Sequence, residues 1–147
     1  MSQLNEKIQN NLKDESFILG GFMGSDTRNY PEIISEDQAT LDRLGYTKKQ
    51  IIDRLKELKL QAVNALEESI VYQNLQLTAH LDRGRLGCPF EDESLLDKTL
   101  ITVKNLSSGQ QFSFSSLHLH LIEAHDFWEG KGQPYRLEPE LVVSVIF

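Results

Sequence analysis

LQLTAHLD, residues 75–82, alternates apolar and polar side chains: Leu75, Leu77, Ala79 and Leu81 on one side, Gln76, Thr78, His80 and Asp82 on the other. Successive side chains of an extended chain point to opposite faces, so this period of two predicts a strand with one buried and one solvated face. The alternation runs out at Arg83-Gly84, and Leu86-Gly87-Cys88-Pro89-Phe90 reads as a turn, because Pro89 offers no N–H to a ladder. Further on, residues 99–105 (TLITVKN) and 112–114 are β-prone, and the Ser107-Ser108-Gly109 stretch between them suits a hairpin loop. About three antiparallel strands are expected.

Upstream of this stretch the period is that of a helix. Ile51, Leu55, Leu58, Ala62 and Leu66 form one stripe behind a Thr47–Gln50 capping box, which predicts a helix over residues 48–68. Leu4, Ile8 and Leu12 mark a shorter amphipathic helix, and Ser35 with Gln38 forms a second capping box, for a helix closed by Gly45. Between them the glycines at 20, 21 and 24 of GGFMGSDTR predict a loop that resembles a phosphate-cradling turn only in composition, with Arg28 as its cation. Pro31 places Tyr30 in an extended lead-in.

Downstream, Ser115 or Ser116 caps a helix over 117–126 that carries three of the four histidines and ends at EGKGQP. Pro139 opens a last helix, against the strand preference of Val142, Val143, Val145 and Ile146. Helices and strands are thus segregated along the chain, which predicts an α+β fold in a single domain over 1–147. Residues 1–68 are mainly helical and pack on the small sheet; 69–147 carry the strands, the hairpin, the His-rich helix and a short C-terminal element.

Composition narrows the function classes. Fifteen basic against 22 acidic residues give a net charge of −7, which opposes nucleic acid and anionic lipid as partners. The single cysteine excludes an internal disulfide and suits a reducing, cytoplasmic setting. No run of apolar residues approaches a membrane span, and the first fifteen residues lack the pattern of a targeting segment.

The histidine helix carries the candidate chemistry. Helical period turns His118 and His125 inward and leaves His120 near solvent. Seven residues separate the inward pair, about 10.5 Å along a helix, too far for one ion. His120 and His125 have the histidine spacing of a two-cysteine, two-histidine zinc finger, with a cysteine, a hairpin and a helix in the same order. The second cysteine of that pattern is missing, so the family is not assigned.

Three readings of the cluster stay open. A zinc site would draw on Cys88, on one of the inward rings, His118 or His125, and on His80, with Asp82 beside it on its strand face. A small cysteine-dependent hydrolase or transferase would pair Cys88 with His118, with Asp82, Asp92 or Asp126 orienting the ring. Otherwise the rings are ordinary core histidines, and the chain is a non-enzymatic binding or assembly module. Two further features point to binding. Lys131 and Arg136 flank a flexible turn and suit an anion, while Phe127, Trp128 and Tyr135 have the character of interface anchors for a protein partner or a second copy.

Overall fold

The computed structural model describes residues 2–15 and 21–147. The part of the glycine-rich stretch at 16–20 lies outside them. The fold is α+β: helices α1 (Gln3–Lys13), α2 (Tyr30–Leu44) and α3 (Lys48–Asn64) precede strands β1 (Ile70–Tyr72), β2 (Leu75–Gly87), β3 (Leu95–Asn105) and β4 (Gln111–Ser115). Helices α4 (Ser116–His125) and α5 (Pro139–Ile146) complete it. The strands form one antiparallel sheet in the order β1-β2-β3-β4.

Four strands stand where about three were expected. The additional one, β1, pairs with β2 across Gln73 and Asn74, both at positive φ (48° and 64°), the conformation of a two-residue hairpin turn. Strand β2 also runs past residue 82. The register slips between Asp82 and Arg85, Gly84 takes φ 97°, and the ladder resumes from Arg85–Asp97 to Gly87–Leu95. A glycine bulge therefore interrupts the alternation without ending the strand.

Helix α2 begins at Tyr30, ahead of the predicted box at Ser35. The Asn29 side chain accepts from the Glu32 N–H, and Pro31 sits in the first turn, where its missing N–H costs nothing. Gly45 ends that helix, and the Thr47–Gln50 box opens α3, as read from the sequence. Helix α3 stops at Asn64, because Leu66 and Glu67 adopt positive φ. The C-terminal segment is helical.

Two apolar clusters meet at α4. Leu119 and Ile122 pack with α3, α5 and the sheet, whereas Leu117 and Leu121 pack with Ile8, Leu12, Tyr30, Ile33 and Phe90. A helix with apolar neighbours on both flanks is buried nearly all round, so its amphipathic signal is weak. Phe127 and Trp128, 1% and 2% exposed, belong to these cores. This corrects their reading as interface anchors; only Tyr135 of the three stays at the surface.

Gly130 marks a tight junction near the end of the chain, since a Cβ there would stand 2.2 Å from the Met23 carbonyl oxygen. The turns at 21–25 and 130–133 therefore pack backbone on backbone. Among the described residues no helix is long and apolar enough to cross a membrane.

Asp97 on β3 anchors the start of α4: it accepts from the Ser116 hydroxyl at 2.6 Å and the Thr99 N–H at 3.1 Å, with the Lys59 ammonium 3.9 Å away. Burial alone would raise its carboxyl; these hydrogen bonds and Lys59 outweigh it and bring the group down to about 2. A depressed folded value means that the ionised form supports the fold above the unfolded value near 3.8 and that this support is lost as pH falls toward 2. Asp97→Asn should therefore flatten part of the fall in urea midpoint between about pH 4 and 2.

Candidate metal centre

The loop between β2 and β3 folds back over α4. Its first residue, Cys88, donates its N–H to the Ser94 carbonyl at 3.1 Å, and Asp92 turns on itself by accepting from the Ser94 N–H at 2.9 Å. Asn11 of α1 holds the loop from the other side, donating to the Pro89 carbonyl at 3.0 Å and to Glu91 at 2.5 Å. Phe90 anchors it, stacking on the His125 ring at 4.2 Å and meeting Tyr30 and Phe127 edge on.

This places four donors together. His120 and His125 each direct Nε2 to the same Asp92 oxygen at 2.7 Å, and Cys88 Sγ lies 3.5 Å from His125 Nε2. One ligand atom from each of the four lies within 4.8 Å of every other. The rings come from the middle and the last residue of α4, and the left-handed Asp126 (φ 57°) closes the helix immediately after His125. Lys48 braces that end, donating to the Glu123 carbonyl at 3.0 Å and pairing with Asp126 at 2.9 Å.

The donor set and spacing fit a metal ion. Zinc holds sulfur at about 2.3 Å and imidazole nitrogen at about 2.0–2.1 Å, so its tetrahedral ligands stand roughly 3.3–3.7 Å apart. The sulfur–nitrogen distance already has that value. The two nitrogen–oxygen contacts are shorter because they are direct hydrogen bonds, and an ion would part them by about half an ångström. One thiolate and one carboxylate balance the charge of a divalent ion, so the filled site carries no net charge in its half-buried position.

Electrostatics bear on the nucleophile reading. Burial pushes the Cys88 thiol up to about 12, the Phe90 N–H lowers it slightly, and the Asp92 and Glu91 carboxylates raise it further. Such surroundings disfavour a thiolate, the reverse of what a cysteine nucleophile needs. Burial would also raise Asp92, but hydrogen bonds from the Ser94 N–H, His125 and His120 outweigh it and hold this carboxyl well below the usual range.

The predicted site residues divide accordingly. Cys88 and His125 meet. His80 does not join them: its side chain is 71% exposed on the outer face of β2, 3.7 Å from Asp82. His118 does not meet Cys88 either, because its ring faces Glu129 about two turns from His125 along α4. Asp92 and His120 take the two places instead. His120 was assigned to solvent because helical period cannot show a loop that folds over the helix; its side chain is 19% exposed, as is that of His125. The missed signal was Cys88-x3-Asp92 ahead of His120-x4-His125, a carboxylate where the finger pattern has its second cysteine.

The anion site at Lys131 and Arg136 is also corrected. Arg136 is 4% exposed and gives its five N–H donors to Asp37 at 2.6 and 2.9 Å, to Glu138 at 2.8 and 3.4 Å and to the Glu129 carbonyl at 2.5 Å. That leaves no N–H for an external anion. Lys131 pairs with Glu36 at 3.3 Å. Comparison with protein-family models, with curated proteins and with solved structures gives no match.

Proposed function

We propose that this chain is a non-catalytic binding or assembly module in which a zinc ion on Cys88, Asp92, His120 and His125 staples the β2–β3 loop to α4. The observation that supports it is the convergence of four donor atoms within 4.8 Å. Four protein ligands fill a tetrahedral zinc shell and leave no open position for a reacting water, which is the pattern of structural sites. The mixture of one sulfur, two imidazoles and one carboxylate suits zinc better than the oxygen-loving magnesium or calcium.

The staple has a clear task. Glu91 and Glu93 hold positive φ (63° and 62°), a conformation that costs free energy and persists only where the surroundings fix it. An ion at Asp92, between them, fixes both and ties α1, through Asn11, to the helix on which both cores converge. A free thiol serving as a ligand suits the reducing cytoplasm. The net charge of −7 favours a protein or small molecule over nucleic acid as the partner.

Sulfur binds zinc as thiolate, whereas burial holds the metal-free Cys88 thiol protonated at neutral pH. Zinc uptake at pH 7 should therefore release at least one proton per ion, read by calorimetry in two buffers of different ionisation enthalpy. Cys88→Ser, which lacks the sulfur ligand, should take up no stoichiometric zinc and show no proton release. Uptake with no proton release would contradict a sulfur-ligated ion.

A further inference from the structure

His118 and Glu129 are buried polar side chains, 7% and 2% exposed, that the metal centre does not use. The Ser115 N–H donates to His118 Nδ1 at 2.9 Å, and the His118 N–H donates back to the Ser115 hydroxyl oxygen at 3.1 Å, closing a reciprocal cap at the start of α4. A ring nitrogen that accepts an N–H carries no proton, so the ring proton is on Nε2. That N–H stands 3.3 Å from Glu129 Oε2, out of alignment for a hydrogen bond, and neither atom has a hydrogen-bond partner. Buried polar atoms are nearly always satisfied, and those left unmatched ask for a ligand, an ion or a water.

The surroundings are those of a small-molecule site. Both residues line a cleft of about 350 Å³ with Phe22, Leu86 and Leu117 on its walls. Tyr135 stands at its rim, 54% exposed. Apolar walls with a few convergent polar groups are the usual makeup of a ligand pocket. Asp82 and Lys98, paired in register across β2 and β3, also line it, and their opposite charges set no preference for a charged ligand. Glu129 itself sits at φ 73°, so the backbone is held in a strained conformation that presents this carboxylate.

Ser115, His118 and Glu129 have the residue types of a hydrolase triad, and the Ser115 Oγ lies 3.0 Å from His118 Nδ1, but the Nδ1 lone pair already accepts the Ser115 N–H at 2.9 Å in the helix cap. His118 therefore has no free nitrogen with which to take a proton from the Ser115 hydroxyl. The arrangement binds and does not abstract. A ligand that satisfies it must accept from Nε2–H and donate to Oε2 through neighbouring atoms, entering where the misaligned contact now closes the floor.

From this we infer that the cleft binds a planar aromatic ligand carrying an acceptor and an N–H donor side by side on one edge, as a nucleobase or an aromatic primary amide does. This gives the binding module its ligand class, and it rests on that reading only in taking the site as one that binds. None of the four metal ligands lines the cleft's walls or floor as described, so the two readings fail separately.

The test is an NMR titration of the full chain with adenine, with benzamide, and with N,N-dimethylbenzamide, which keeps the ring and carbonyl but has no N–H. Adenine or benzamide should shift the Leu86 and Leu117 methyls and the His118 ring signals saturably, with Kd at or below about 1 mM. The tighter of the two tells a nucleobase from an amide source, and dimethylbenzamide should bind at least about tenfold more weakly. Glu129→Gly suits the positive φ and removes the carboxylate together with the rest of the side chain; it and the surface variant Tyr135→Ala should each weaken binding about tenfold. The inference is overturned if neither probe moves these signals, if dimethylbenzamide binds as well as benzamide, or if Glu129→Gly leaves the affinity unchanged.

Discussion

His125→Ala should abolish stoichiometric zinc and, in zinc-containing buffer, lower the melting temperature by about 8–16 °C. The figure follows from linkage: an ion that binds only the folded chain contributes about 4 kcal/mol when free zinc exceeds its Kd a thousandfold. Each kcal/mol is worth about 2–4 °C in a chain of this size. His125 also stacks on Phe90, so part of any loss is packing. Repeating both melts in chelator isolates that part, because there the wild type has lost its ion as well and the gap should narrow to the packing contribution. His80→Ala, on the exposed face of β2, should change neither measurement.

The second large effect belongs to the buried pair of Asp37 and Arg136. Asp37 on α2 receives both terminal nitrogens of Arg136, at 2.6 and 2.9 Å, and the side chains are 7% and 4% exposed. Removing Asp37 takes from the buried guanidinium its bidentate partner and leaves it only the exposed Glu138 as counter-charge, which costs up to about 3–5 kcal/mol. Asp37→Ala should lower the urea midpoint accordingly. Asp37→Leu combined with Arg136→Met should cost clearly less than the sum of the single changes, because no orphaned charge remains and the hydrophobic replacements fill the space.

The elements with a strong local period were legible in the sequence. Helix α3 with its Thr47 box, the Gly45 stop and the first part of β2 all follow from nearest-neighbour chemistry. What escaped is what depends on partners distant in sequence. Asn29 started α2 six residues early, the bulge at Gly84 hid the second part of β2, and β1 is too short to show alternation.

The candidate metal centre was half legible for the same reason. Cys88 and His125 stood out by residue type, and the rise of seven helical residues placed His118 too far from His125 to share one ion, as the cluster without His118 shows. Period also sent His120 to solvent, since the loop that covers it arrives from 28 residues upstream in Asp92. Phe127, Trp128 and Arg136 have the residue types of a binding surface, yet the first two fill cores and the third is saturated by Asp37, Glu138 and a carbonyl. Residue type suggests what a side chain is able to do; burial and the hydrogen bonds around it decide which of those things is left for it.

Native mass spectrometry of the full chain, prepared without a metal-affinity tag and offered zinc at neutral pH, tests the central claim most directly. The wild type should carry one zinc per chain, retained on dilution, and Cys88→Ser and His120→Ala should carry none while remaining folded by circular dichroism. A folded wild type that takes up no zinc, and melts at the same temperature with chelator as without, would contradict the account.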